Sequence, residues 1–312
     1  MPSMKAIKRR RLTVRNISQI TKAMNLVATS KLQRARSALQ AAGESIKAAF
    51  AIANGAVLDA DMKGLDLPLY RERPEIKKTA YVLLTSNRGL CGSYNSNVCK
   101  ELLKHSVQNG KTPVVIPLGT KGRDYCRRRK KEVVEIASIE DMPSFKCATT
   151  VANALCDMYL KGEVDEVYVV YTKFFTVLHL EPYIRQVLPI SPDFVRRVTG
   201  THLRKGEEWE DLGFFKQPEP ENLKGHRQEM EYEPGVDGVL GSVVPWFLGM
   251  FIFGALASSA LCEQAARMTS MDSATKNAGD IIDKLTLMFN RQRQSTITQE
   301  ITEIVSGANA LK

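Results

Sequence analysis

Residues 32–56, LQRARSALQAAGESIKAAFAIANGA, carry small or apolar side chains at Leu32, Ala35, Leu39, Ala42, Ile46, Ala49, Ala53 and Ala56. Steps of three and four in strict alternation mark the seam of a coiled-coil helix, and so many alanines let a partner helix approach closely. Upstream the apolar stripe runs Ile17, Ile20, Met24, Ala28 and Leu32, with two successive steps of four. Such a drift would locally unwind a coiled coil. No proline interrupts the chain from Met4 to about Asp66, so one long helix is expected there.

A partner stands at the other end of the chain. After Pro245 no proline occurs up to Lys312, and Met268, Met271, Thr275, Ala278, Ile282, Leu285 and Phe289 again alternate by three and four. Beyond Phe289 the seam turns polar, through Asn290 to Thr296. Two seamed helices at opposite ends pair most simply as an antiparallel coiled coil with a domain inserted between them.

That inserted zone reads as α/β. Tyr81–Thr85, Val114–Leu118 and Val164–Tyr171 are strand-like runs, while Val98–Gln108 and Ala148–Leu160 read as helices between them. Strands alternating with helices imply a small, mostly parallel sheet. The expected fold is therefore α/β: a long antiparallel coiled coil of the N- and C-terminal helices with an inserted Rossmann-like domain. Its segments are 1–66, 67–235 and 236–312, with the Gly- and Pro-rich, charged stretch 199–231 as a flexible excursion. The apolar run Val243–Ala257 is too short for a bilayer crossing, which takes about 20 residues, and reads as a buried helix start.

Charge is concentrated. The first acidic residue is Glu44, and ten Lys and Arg precede it. They account for the whole net charge of +10; the remaining Lys and Arg equal the 34 Asp and Glu. Such a segment calls for an acidic partner, and a nucleic-acid-binding coiled coil is one reading of it. Arg127–Lys131 adds five consecutive cations. The seam of alanines, matched by one near the C-terminus, is not explained by phosphate binding.

Chemistry is hard to find. Asn87-Arg88-Gly89-Leu90-Cys91-Gly92-Ser93-Tyr94-Asn95 follows a strand and precedes a helix, where α/β proteins bind phosphates. It is neither a dinucleotide fingerprint nor a P-loop, and Gly119-Thr120-Lys121-Gly122 lacks the required continuation as well. These glycines read as tight turns. His105, His179, His202 and His226 sit singly, and the six cysteines form no C-x-x-C pair, so neither a metal site nor a disulfide framework is expected. No catalytic residue and no cofactor is assigned.

Specific residues now carry more than the pattern. Ile20-Thr21-Lys22-Ala23-Met24-Asn25-Leu26-Val27-Ala28-Thr29-Ser30-Lys31-Leu32 resembles the N-terminal helix signature of F-type ATP synthase gamma subunits. The loop Asn87–Asn95 is similar to their S-D-R-G-L-C-G-x-x-N segment, with Asn87 where Asp is usual, and Tyr171–Pro189 resembles their late-sheet segment. Glu263–Met268 and Ile297–Ala310 resemble the family's C-terminal pattern. The resemblance is collinear over nearly the whole chain.

It implies a non-catalytic rotor in the central stalk, coupling proton flow through a membrane ring to ATP synthesis or hydrolysis in a head of alpha and beta subunits. Met24, Lys31, Arg293, Gln294, Thr298 and Glu300 would touch the catalytic subunits. Tyr232 and Glu233 would form the foot on the membrane c-ring and the epsilon subunit. The chain would be peripheral to the membrane, without nucleic acid. Because the motif begins within a few residues of Met1, the expected place is the cytoplasmic side of a bacterial inner membrane. The matrix side of the mitochondrial inner membrane is the alternative.

Overall fold

The computed structural model describes residues 3–63, 68–70, 73–139, 143–191 and 236–310. They form five helices and five strands in the order α1 (Met4–Lys63), β1 (Lys78–Leu84), α2 (Tyr94–Asn109), β2 (Thr112–Leu118), α3 (Thr120–Arg128), β3 (Glu132–Val133), α4 (Phe145–Leu160), β4 (Glu166–Phe174), β5 (Leu180–Leu188) and α5 (Val236–Ala310). Two compact units result, one of residues 1–30 with 267–312 and the other of residues 31–266. The excursion 199–231 and the foot residues Tyr232 and Glu233 lie outside the described residues.

In the larger unit the sheet order is β3-β2-β1-β4-β5. β1 pairs parallel with β2 and β4, and β2 parallel with β3. β5 is antiparallel to β4, an edge strand that the sequence reading contained only as a family segment. The strands alternate between two apolar faces. Ala80, Val82, Leu84, Ile116, Leu118, Val167, Val169 and Tyr171 face α4 and the start of α5, while Tyr81, Leu83, Val115 and Val170 face α2 and the buried Cys126 of α3. A sheet covered on both sides reads as continuous apolar runs, which is why β1, β2 and β4 were legible. The chain reverses direction across the sheet between β1 and β4, the switch point of a doubly wound fold.

α5 begins at Val236 and passes through Pro245. Its apolar start is core: Val244, Phe247, Leu248, Phe251, Ile252, Ala255 and Leu256 are all buried against the sheet and α4. The described residues contain one helix, Val243–Gly307, long and apolar enough to cross a membrane by composition, but its most apolar window is 67% buried in the protein. Gly249 has a packing reason. A Cβ there would sit 3.2 Å from Thr149 Cγ2, so glycine lets α4 and α5 close on each other.

The smaller unit is a helix pair. Asn25 Nδ2 donates to the Met268 carbonyl at 2.9 Å, Thr21 and Thr275 hydroxyls meet at 2.7 Å, and the Arg11 guanidinium lies 5.3 Å from the Phe289 ring centre. Rising numbers on α1 meet falling numbers on α5, so the pair is antiparallel. The α1 stripe differs from the one the sequence suggested. Buried and half-buried residues are Ile7, Arg11, Val14, Ser18, Thr21, Asn25 and Ala28, whereas Ile17, Ile20 and Met24 are exposed. The true frame keeps the three–four alternation down to Ile7, so no unwinding step arises. Following apolar residues alone shifts the stripe by one residue, because this seam is built from small and polar ones.

Candidate functional site

On α5 the seam positions are Met271, Thr275, Ala278, Ile282, Leu285 and Phe289, buried or half-buried, and the same frame continues to Gln292 and Thr296. Leu32 is half-buried, Ala35 is buried, and Leu39 packs on the main core of the larger unit. Ala42 and Ile46 lie in α1, with side chains outside the description. After Thr296 every described side chain up to Gly307 is exposed. The reason is register: Arg11 lies against Phe289, so α1 reaches its first turn near Thr296, and α5 continues past it without a partner helix among the described residues.

Candidate contact residues fall at two levels of this pair. Met24 is exposed beside Asn25, which meets Met268; Arg293, Gln294, Thr298 and Glu300 are exposed more than twenty residues further along α5. At ~1.5 Å per residue the two groups stand roughly 40 Å apart along the helix. The Thr298 hydroxyl donates to the Gln294 carbonyl at 2.9 Å, a back-bond within the helix that fixes its rotamer. Arg293 and Glu300 have no ion pair among the described residues. Lys31 is half-buried.

The surface of the pair carries what the sequence reading missed. Leu12, Ile17, Ile20, Leu26 and Val27 on α1, and Leu287, Met288, Ile297, Ile301 and Ile304 on α5, are each between 47% and 71% exposed. Around them Lys5, Lys8, Arg9, Arg10, Arg15 and Lys22 are also exposed. The seam of the pair thus mixes small and polar residues, mostly on α1, with apolar ones, mostly on α5, while further apolar and cationic side chains lie outside. Reading the heptad with Ser, Thr and Asn allowed at seam positions would have found it.

The glycine loop at the end of β1 is internally closed. Asn95 Oδ1 accepts from the Ser86 N–H at 2.9 Å, and Asn95 Nδ2 donates to Ser86 Oγ at 2.7 Å. Asn87 acts as a clip: its Oδ1 accepts from the Thr120 N–H at 3.1 Å, and its Nδ2 donates to the Ile139 carbonyl at 2.8 Å. The N-terminus of α3, where a phosphate would sit, is therefore occupied by this chain's own amide. An aspartate could not make the second bond, because a carboxylate has no N–H. Gly119, at φ +136°, and Gly122 are needed for close approach, since a Cβ on either would strike Thr85.

A shallow open cleft lies at the carboxyl end of β1, lined by Leu84, Thr85, Tyr94, Ser144, Cys147, Ser259 and Glu263 among others. Its one charged lining residue is acidic, the wrong sign for a phosphate. Burial pushes the Tyr94 hydroxyl far above its ordinary range, and the neighbouring Glu263 adds to that, so the phenol stays neutral. Burial likewise raises the thiols of Cys99, Cys126 and Cys156, Cys126 to about 11, which keeps them protonated and unreactive. Among the described residues no group of three His, Cys, Asp or Glu could hold a metal ion.

Comparison with known proteins accounts for this mixture of an inert domain and an unusual helix pair. A family model described as ATP synthase matches residues 3–311. The ATP synthase gamma chain of Lachnoclostridium phytofermentans is 37% identical over 313 aligned positions, covering all of both chains. The gamma chain of Acetobacterium woodii, named as sodium ion specific, is 35% identical over 98% of this chain and 97% of its own. In structure, a rotor chain of the Euglena gracilis mitochondrial ATP synthase superposes with a TM-score of 0.60 at 16% identity, over 94% of this chain and 98% of that one. A central-stalk chain of the Tetrahymena thermophila enzyme gives 0.53 at 22% identity over 82% and 99%. Full-length identity above a third, with the fold to match, places the chain in the ATP synthase gamma chain family.

Proposed function

We propose that this chain, a non-catalytic central-stalk rotor subunit of an ATP synthase, couples ion flow through the membrane sector to ATP synthesis or hydrolysis by turning an asymmetric surface past the catalytic subunits. The observation that carries this reading is the inverted helix pair. A pair whose seam mixes threonine, serine and asparagine with a few apolar residues, and which leaves leucine, isoleucine and valine exposed, buries only part of its apolar surface by itself. Its outer apolar surface is suited to being covered by neighbours.

The mechanism needs no bond-making by this chain. A rotor is in effect a ligand whose differential contacts favour a different conformation in each catalytic subunit as it turns. Met24 and Lys31 form one belt of contacts with the head, and Arg293, Gln294, Thr298 and Glu300 a second, further along α5. Exposed cations on α1 give both belts long-range attraction for acidic loops, Lys22 beside the first and Lys5, Lys8, Arg9 and Arg10 near the start of the second. Isoleucines 297, 301 and 304 on the unpartnered end of α5 supply an apolar bearing surface with no fixed hydrogen bond to break on rotation. Tyr232 and Glu233 belong to the foot, with the epsilon subunit and the c-ring as partners. The complex sits at the cytoplasmic side of a bacterial inner membrane.

Nothing in the comparisons favours a nucleic-acid-binding protein, although the charge alone allowed one. The test of the rotor reading is mild detergent extraction of the native membrane followed by subunit mass analysis. Co-isolation with alpha, beta, epsilon and c subunits is expected. Recovery of the chain as a monomer without them would end it.

A further inference from the structure

The amino edge of the sheet is entered through lysines: Lys77 and Lys78 into β1, Lys111 into β2, Lys130 and Lys131 into β3. These entries lie side by side. Lys78 is in register with Thr112, whose N–H donates to the Lys77 carbonyl at 3.2 Å, and β3 joins β2 two residues later, at Val114 and Glu132. With strands ~4.8 Å apart the three entries span about 10 Å. Helix α3 runs back from the opposite edge and ends beside them with Arg127, Arg128 and Arg129.

The arginines of this cluster are already engaged, as is Lys77, and the other four lysines form no ion pair among the described residues. Arg127 pairs with Glu135, Arg128 Nε donates to the Asp124 carbonyl at 3.2 Å, and the Arg129 guanidinium lies 3.7 Å from the Tyr125 ring centre. Lys77 is held by Glu75 at 3.0 Å. Lys78, Lys111, Lys130 and Lys131 have no carboxylate within ion-pair distance among the described residues. The first three are exposed and Lys131 is half-buried. Lys130 closes α3 at φ +54°, a left-handed position that favours glycine, so a cation is kept where the backbone would prefer none.

We propose that this rim is a contact surface for anionic lipid headgroups. Lysine is a hydrated point charge on a flexible stem and follows a fluid plane of phosphates. The planar fork of arginine, which suits a fixed carboxylate, is here spent within the chain. Clusters of four to eight cations are what draws a protein surface to an anionic leaflet. On the β4 side Glu163, Asp165 and Glu166 end the positive strip, so the rim has a defined extent. The inference rests on the rotor reading only for the presence of a membrane nearby.

The test uses the purified full chain with vesicles of phosphatidylcholine alone or with phosphatidylglycerol added, at physiological salt. A fluorophore is placed at Glu132→Cys in a Cys147→Ser background, the other five thiols being buried, and the vesicles carry a headgroup quencher. One variant replaces Lys78, Lys111, Lys130 and Lys131 by Gln; a second removes equal charge from α1 at Lys5, Lys8, Arg9 and Arg10. The rim variant should lose about tenfold or more in binding to anionic vesicles and lose quenching. The α1 variant should keep quenching, and Lys130→Gly, which relaxes the backbone, should weaken binding with the fold intact by circular dichroism. An unquenched probe on anionic vesicles, or a rim variant that binds like the parent, overturns the proposal. So does poly-glutamate engaging the rim when vesicles do not, which would assign it to an acidic protein. The assay contains no other subunit, so its outcome is separate from co-isolation with the head.

Discussion

The two units of this chain have different interiors. In the α/β unit Ala80, Val82, Leu83, Ile116, Leu155 and Phe251 are fully buried, and the polar groups at the strand ends are tied to one another. In the helix pair the seam mixes Ser18, Thr21, Asn25, Thr275 and Gln292 with Ile7, Met271, Ile282, Leu285 and Phe289, while other leucines and isoleucines face outward. The first arrangement stabilises itself. The second contributes little to stability and much to register, since each polar seam bond is made in only one alignment of the helices. The difference is one of surface: the α/β unit completes its own core, and the helix pair leaves apolar side chains exposed, the surface on which the proposed subunit contacts rest.

Core truncation should expose the contrast most strongly. Phe251→Ala removes a fully buried ring packed edge-on against Tyr171 and should cost about 3–5 kcal/mol in urea unfolding. Thr21→Val, at the centre of the helix pair, should by comparison be neutral or slightly stabilising. Equal losses from the two would erase the distinction. Next in size is Leu285→Asp, which puts a charge at one of the few large apolar seam positions, 6% exposed. It should cost roughly 2–4 kcal/mol in the pair. ATP hydrolysis should then proceed without pumping, and unchanged pumping in membrane vesicles would contradict this.

How much of this was readable follows the same division. β1, β2, β4, α2 and α4 were legible because a sheet buried on both faces leaves long apolar runs, and Met271–Phe289 because its seam is mostly apolar. The short helix α3 was read as a failed phosphate turn. Its strand-to-helix corner depends on Gly119 and Gly122 fitting against Thr85, a tertiary fit invisible in one sequence. β5 alternates weakly because it is a half-exposed edge. On α1 the search for apolar periodicity followed Ile17, Ile20 and Met24 to the outer face. There the hydrophobic signal was real, but it belonged to the exposed face of the helix and not to the seam.

A smaller effect should come from Asn25, whose amide donates to a backbone carbonyl across the pair. Asn25→Ala should lower stability by only about 1 kcal/mol, yet broaden the register. Spin labels on α1 and α5 would then show a wider distance distribution than in the parent; an unchanged distribution would mean the apolar seam sets register alone. In the α/β unit the matching test is pH. Burial lowers the pKa of His105, against the pull of Glu166 and Glu101, while the ring meets the Tyr81 hydroxyl at 3.0 Å. A histidine whose folded pKa lies below its unfolded value favours the folded state when neutral. Stability is therefore full above the unfolded value of about 6.5 and falls as pH drops through it toward the folded one. The urea midpoint should decrease modestly between about pH 7.5 and pH 5.5, and His105→Gln should remove that part of the decrease.

The smallest expected change in stability is also the sharpest test of the division. Arg293 is exposed on α5, close to the end of its overlap with α1, and has no ion pair among the described residues. Truncating it removes no buried surface and leaves no partner unsatisfied, so Arg293→Ala should unfold within about 0.5 kcal/mol of the parent. If this residue belongs to a belt that meets the catalytic subunits, the same substitution should impair ATP synthesis in reconstituted vesicles while hydrolysis by the detached head continues. A guanidinium with no role in the fold and a large role in coupling is what a surface made for other subunits requires. Normal synthesis by the variant would remove Arg293 from that surface and leave the apolar face of α5 as its remaining support.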